Sequence, residues 1–288
     1  MGIVSTPFRF RVKLLFRKST IYIAFSVFCV FSVYFLNSTI KIASPEKPGL
    51  MDALIYSFNL YSNVFLCYLP LFLILEVAFF SQGKFNEYVL ARYKSRADYF
   101  WHKEFCAIKF CFSYRIIENA ILVAIYCFCC LQSNFKGDFA AELSKNMQHF
   151  MCISEISARD TIIVFIFTFV TMLFLEMAFS QVVIILSEST LSPMSSTGIT
   201  IGIDVCLLVG IKCYFWFSGS YFSKLLPHNN LFLQFIFRWS YISGADQSVK
   251  LLIFPLLYQL VVLLILGLIA YLYVSRKDFL YERIEDKV

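Results

Sequence analysis

Phe85-Asn-Glu-Tyr-Val-Leu-Ala-Arg-Tyr-Lys-Ser-Arg-Ala-Asp-Tyr-Phe-Trp-His-Lys103 is a basic, aromatic segment set between two long apolar runs, Ala53 to Phe80 and Ala107 to Leu131. A charged interruption in so apolar a chain reads as a hairpin held just outside a lipid bilayer. Composition points the same way: 59% of the 288 residues are hydrophobic, 15% are charged and 34 are Phe. With a mean hydropathy of +0.72, the chain carries more apolar surface than a water-soluble domain can bury.

A helix crosses the bilayer in about 20 apolar residues, and the sequence offers six such runs. They are Thr20 to Ile40, Ala53 to Phe80, Ala107 to Leu131, Thr161 to Leu186, Ile199 to Phe217 and Leu251 to Val274. The expected fold is therefore an all-α integral membrane protein, one transmembrane domain over residues 1–288 with six transmembrane helices. Residues 81–104 form a cytoplasmic hairpin in this scheme, and residues 132–160 and 218–250 form outer loops.

Orientation follows from Lys and Arg, which cytoplasmic segments retain. The N-terminal tail, the hairpin and the C-terminal tail together hold 14 of them, against 8 in the three segments on the opposite side. Both termini are thus expected in the cytoplasm. The segment Glu188 to Gly198 has no basic residue and is cytoplasmic only by counting spans.

The net charge of +6 lies in segments that flank the membrane, where anionic headgroups account for it. It gives no reason to expect nucleic acid. Of the ten cysteines, all but Cys152 fall in or beside apolar runs, where cysteine serves as a small hydrophobe. Cys127-Phe-Cys129-Cys130 lacks histidine partners, so no metal is expected. Met1-Gly2 opens a myristoylation-like pattern, read here as chance, and no convincing cleavage site follows Thr20 to Leu36.

Phe8, Val12, Leu15 and Phe16 share one helical face, with Arg9, Lys13 and Arg17 on the next. That pattern predicts an interfacial N-terminal helix. The third span's helical pattern runs back toward Ala97, giving about 50 Å of helix, so its first turns stand in the cytoplasm with Lys103 and Lys109. Arg115 and Glu118 lie at i, i+3 spacing and are expected to form an intramembrane ion pair. Glu76, Glu176 and Asp204 are possible pathway residues, since charges within spans face a protein interior or an aqueous path. Glu76 and Glu176 also sit in an internal echo, Leu75-Glu-Val-Ala-Phe79 against Leu175-Glu-Met-Ala-Phe179, each followed closely by Ser-Gln.

Catalytic patterns are missing: there is no Gly-x-Ser-x-Gly and no His-Glu-x-x-His, and the three histidines divide between the two sides. No catalytic residue and no bound cofactor is expected. The chain also has no Gly-x-x-x-x-Gly-Lys-Ser/Thr loop to cradle nucleotide phosphates, so any ATP would be used by another chain. The spans read as mostly uninterrupted, with Gly202, Gly210 and Gly267 as isolated exceptions, unlike the broken helices of secondary transporters.

The order of basic N-terminal helix, two spans, basic hairpin, long third span and three further spans resembles the type-2 family of ATP-binding-cassette (ABC) permeases, especially small bacterial ones for peptide or antibiotic export and immunity. Arg92-Tyr-Lys-Ser95-Arg96 followed by Trp101 and Lys103 is similar to that family's approach to the third span, as is Ser275-Arg-Lys-Asp-Phe279 after the sixth. The resemblance implies a permease subunit in the bacterial plasma membrane that pairs with a second permease copy and binds a cytoplasmic ABC ATPase, which holds ATP and Mg. It also implies a coupling helix over Asn86 to Arg96, with Tyr88, Val89, Leu90 and Tyr93 as a hydrophobic seat and Arg92, Lys94 and Arg96 against acidic rims. The substrate implied is hydrophobic or amphipathic: a peptide, an antibiotic or a lipid-like molecule. A membrane-embedded enzyme and a non-transporting peptide-immunity or sensor protein remain as alternatives.

Overall fold

The computed structural model describes residues 5–16, 19–42, 50, 54, 57–58, 63–80, 93, 95–128, 158–189, 192–218 and 250–276. Among them every extended element is helical and no strand occurs. The helices are α1 (Ser5–Phe16), α2 (Ser19–Ile42), α3 (Leu69–Phe80), α4 (Arg96–Phe128), α5 (Ala158–Ser187), α6 (Pro193–Ser218) and α7 (Lys250–Arg276).

Each apolar run of the sequence falls wholly or partly on one of α2 to α7. Among the described residues three stretches, Arg96–Phe128, Phe165–Ser187 and Gln259–Arg276, are long and apolar enough to cross a membrane; Ile21–Tyr34, Val64–Phe80 and Pro193–Val209 are shorter apolar stretches. Large apolar side chains such as Tyr22, Ile23 and Val30 on α2, and Leu264, Ile265 and Leu268 on α7, stand exposed. Faces of that kind suit an apolar surrounding rather than water.

Helix α5 is the centre of the packing, touching α3, α4, α6 and most extensively α7. Its connection to α6 is short, because Pro193 already opens the next helix. The Ser192 hydroxyl accepts the Ser195 amide at 3.2 Å, so the serine before the first helical proline acts as an N-cap. The stretch expected as a loop from Glu188 to Gly198 is thus helical from Pro193 onward. So tight a connection makes α5 and α6 antiparallel neighbours.

The second apolar run is not one continuous α-helix. Pro70 has no N–H to offer the Leu66 carbonyl, and a π-helical turn, Val64–Tyr68, lies immediately ahead of it, closed from the Leu69 amide to the Val64 carbonyl. From α4 the Tyr114 hydroxyl donates to the Tyr68 carbonyl at 3.3 Å. Helix thus continues through this run with one π turn, and α6 and α7 run straight through Gly202 and Gly267.

Helix α4 has 33 residues, about 50 Å at 1.5 Å per residue, and it starts within a residue of where the sequence pattern put it. The Ser95 hydroxyl caps it by accepting the Asp98 amide at 3.1 Å. Rings fasten α4 to α3: Phe110 stacks on Phe79 with centroids 4.8 Å apart, and Phe72 meets Tyr114 edge-on at 5.2 Å. Phe8 of α1 extends the ladder, meeting Phe79 edge-on at 5.6 Å.

Candidate functional site: buried charge in the helix bundle

Phe79 and Phe80 form the last described turn of α3, where carbonyls carry the negative end of the helix dipole. Arg11 of α1 fills that position. Its guanidinium donates to the Phe79 carbonyl at 3.1 Å and to the Phe80 carbonyl at 3.5 Å, near both rings. Only 1% of Arg11 is exposed, and this burial pushes its proton affinity below the ordinary arginine value. Helix α1 forms where the sequence predicts, and Arg9 and Lys13 are exposed as expected. Its apolar face differs from the interfacial reading: Leu15 is buried, and Phe8 and Val12 pack against the protein core.

Lys103 on α4 is the second buried cation at this end. It pairs with Glu188, just past the end of α5, and donates to the Ser187 hydroxyl at 2.9 Å. The Tyr99 hydroxyl donates to the same Glu188 at 2.9 Å. Lys103 is therefore not a free cytoplasmic charge; it ties α4 to the α5–α6 connection. Lys109 is half-buried with its ammonium 4.6 Å from the Phe105 ring centroid.

Deeper in the bundle, the sequence neighbours Arg115 and Glu118 are in contact, and Arg115 also reaches Glu176 on α5. The Arg115 guanidinium carbon lies 5.0 Å from the Phe58 ring centroid. Ser180, one turn after Glu176, contacts the Glu76 carboxyl on α3 and lies 3.0 Å from the Glu176 carbonyl and 3.2 Å from Cys111 Sγ on α4. Gln181 donates to Glu104 of α4 at 3.1 Å. One polar network thus joins α3, α4 and α5. Of its charged residues, Glu76, Arg115, Glu118 and Glu176 are at most 2% exposed, and Glu104 is half-buried.

Asp204 is buried on α6 with no hydrogen-bond partner on either oxygen among the described residues. It is not joined to the network by any hydrogen bond or ion pair among those residues. Of the hairpin residues, Tyr88, Val89, Leu90, Arg92 and Lys94 lie outside the described residues, as do most of the outer loops and the C-terminal tail. Tyr93 is half-buried, its ring 5.2 Å from His102 and 6.0 Å from Tyr99. Arg96 is the first residue of α4 and is half-buried.

Sequence reasoning missed Arg11 as a helix cap, Lys103 with Glu188, and the link from Arg115 to Glu176. One signal for the network was present, since Ser180-Gln181 is the Ser-Gln of the echoed motif. Among the described residues no group of side chains is arranged to hold a metal ion, and six of the cysteines are free thiols. The arrangement can bind or relay charge inside an apolar bundle. No protein-family model, no curated protein and no solved structure matches the chain.

Proposed function

We propose that this protein is the membrane-spanning permease subunit of an ATP-driven ABC exporter, moving a hydrophobic or amphipathic substrate with a separate ATPase chain. In this reading α2, the Val64–Phe80 stretch and α4 to α7 are six spans with both termini in the cytoplasm. Residues 81–95 are then the coupling segment that meets the ATPase, and a second permease copy completes the pathway. The membrane is a bacterial plasma membrane.

One observation carries the reading: both ends of that segment are fastened to the bundle by buried cations. Arg11 clamps the carbonyls at its start, and Lys103 fixes the first turns beyond its end to Glu188. A segment pinned at both bases can pass a push from a partner into α3, α4 and α5 together, instead of dissipating it in loop motion. The chain's lack of a nucleotide-binding loop agrees with an energy source on another chain.

The test is a search for an adjacent reading frame that encodes a Walker-motif ATPase, followed by co-purification of that ATPase with this chain. Replacing Tyr88, Arg92 and Arg96 is expected to abolish the complex and its stimulated ATP hydrolysis. A complex that survives with full activity would remove the coupling assignment.

A further inference from the structure

Between α2 and the second apolar run lies a groove with a volume of about 200 Å³ and an almost wholly apolar lining. Ala24, Phe28 and Cys67 are its buried floor. Ile23, Val27, Phe31 and Leu66 stand exposed along it. The local chain explains the hollow. Ala24 contributes only a methyl group, and Leu66 is the exposed residue of the π turn Val64–Tyr68, whose other four side chains are buried. Phe28 and Tyr68, with ring centroids 5.8 Å apart, join the two helices at this level. Water finds no polar partners on such walls, and an empty hollow forfeits dispersion contacts. From Ile23 to Phe31 the groove follows α2 for about 12 Å at 1.5 Å per residue, a slot suited to a stretch of hydrocarbon chain.

Charge stands at one end of this slot. The Tyr22 hydroxyl donates to the Phe16 carbonyl at 3.3 Å, holding the last residue of α1 beside the first turn of α2. Arg11 fastens the middle of α1 to Phe79 and Phe80. The groove begins at Ile23, next to Tyr22, and at Ile74, five residues before Phe79. Its mouth is thus within about two turns of α1, where Arg9 and Lys13 are exposed. We propose that the groove holds one acyl chain of an anionic phospholipid, whose phosphate rests on Lys13 and Arg9. The chain fills the apolar slot, and the phosphate accepts charge-assisted hydrogen bonds from the two basic side chains. Such binding requires these helices to lie in a bilayer, as the proposed function also does, but it requires neither transport nor an ATPase.

The full chain is placed in phosphatidylcholine nanodiscs that contain a small share of a probe lipid, either phosphatidylglycerol or phosphatidylcholine, with a photoreactive diazirine in one acyl chain. Labelled residues are mapped by mass spectrometry after illumination. Phosphatidylglycerol is expected to label Val27, Phe31 and Leu66 at least about fivefold more than the phosphatidylcholine probe does, as attraction of an anionic headgroup to a basic side chain provides. Exposed Leu264 and Leu268 of α7 should be labelled equally by both probes, as boundary lipid labels any apolar face. Lys13→Glu combined with Arg9→Glu is expected to remove the preference, and Val27→Trp, which fills the slot, to lower labelling at Phe31 and Leu66 while α7 labelling stays unchanged. Equal labelling of the groove by the two probes in the wild type means boundary lipid only and overturns the site. A preference that survives the paired Lys13 and Arg9 substitutions overturns it as well. Groove residues labelled by neither probe, beside a labelled α7 face, would show another polypeptide or a second copy seated there and also overturn it. Because no ATPase is present, failure of the coupling assignment leaves these results unchanged.

Discussion

Arg11 and Arg115 show how differently one residue type can be used when buried. Arg11 is satisfied by backbone: two carbonyls at a helix end take its charge, with aromatic rings around it. Hydrogen bonds from a charged group contribute about 1.5–3 kcal/mol, so Arg11→Gln is expected to lose stability of that order. Arg11→Lys should recover part of it, because a point charge still suits the dipole. Thermal unfolding in detergent or nanodiscs reads both, and an unchanged transition in Arg11→Gln would mean the cap contributes nothing. Arg115 instead sits among carboxylates. Removing one member of a buried ion pair costs about 3–5 kcal/mol, and Arg115→Gln leaves Glu118 and Glu176 facing each other unbalanced. Glu118→Gln keeps the Arg115–Glu176 contact and should be the milder change by the same measurement. The sequence made Arg115–Glu118 readable, because three residues along a helix is a fixed distance. It could not reveal Glu176, which is 61 residues away and is brought close by α4–α5 packing alone. Arg11 was hidden for a different reason: in a basic tail, one arginine looks like any other.

At the scale of elements, α4 was legible almost to its first residue. The sequence carried a helical pattern running back toward Ala97 and a length far beyond one bilayer crossing. Its start rests on the Ser95 hydroxyl, so Ser95→Ala is expected to cost about 1 kcal/mol and to raise amide hydrogen exchange in residues 97–99 selectively. Uniform exchange across α4 in that variant would show that packing of Tyr99 and Lys103, not the cap, sets the boundary. In the second run the π turn was not legible: Pro70 denies Leu66 its partner, yet Pro255 lies within α7, so a proline by itself does not mark the turn. The α5–α6 connection was misread because serine and threonine around Pro193 resemble a loop, yet Ser192-Pro193 is a helix start.

For the whole molecule, the apolar runs marked the helices, and among the described residues three of them are long and apolar enough to cross a membrane. Orientation is a separate matter, set by basic residues outside the bundle. A C-terminal phosphatase or fluorescent reporter distinguishes six spans from an odd number: the fluorescent fusion is expected to be bright and the periplasmic phosphatase silent. An active phosphatase would require recounting the spans. What the sequence could not convey is which charged residues meet: only packing brings Glu76, Glu118 and Glu176 together with Arg115 and Ser180.

Arg11 also sets an order of assembly. Its acceptors on Phe79 and Phe80 lie 68 and 69 residues further along the chain, and synthesis proceeds from the N-terminus. When α1 leaves the ribosome, the carbonyls it will cap have not yet been made, and its arginine has only water or lipid headgroups to engage. Helix α1 is therefore seated through this contact only after α3 has been made, and its docking records that the second hydrophobic segment has reached its place.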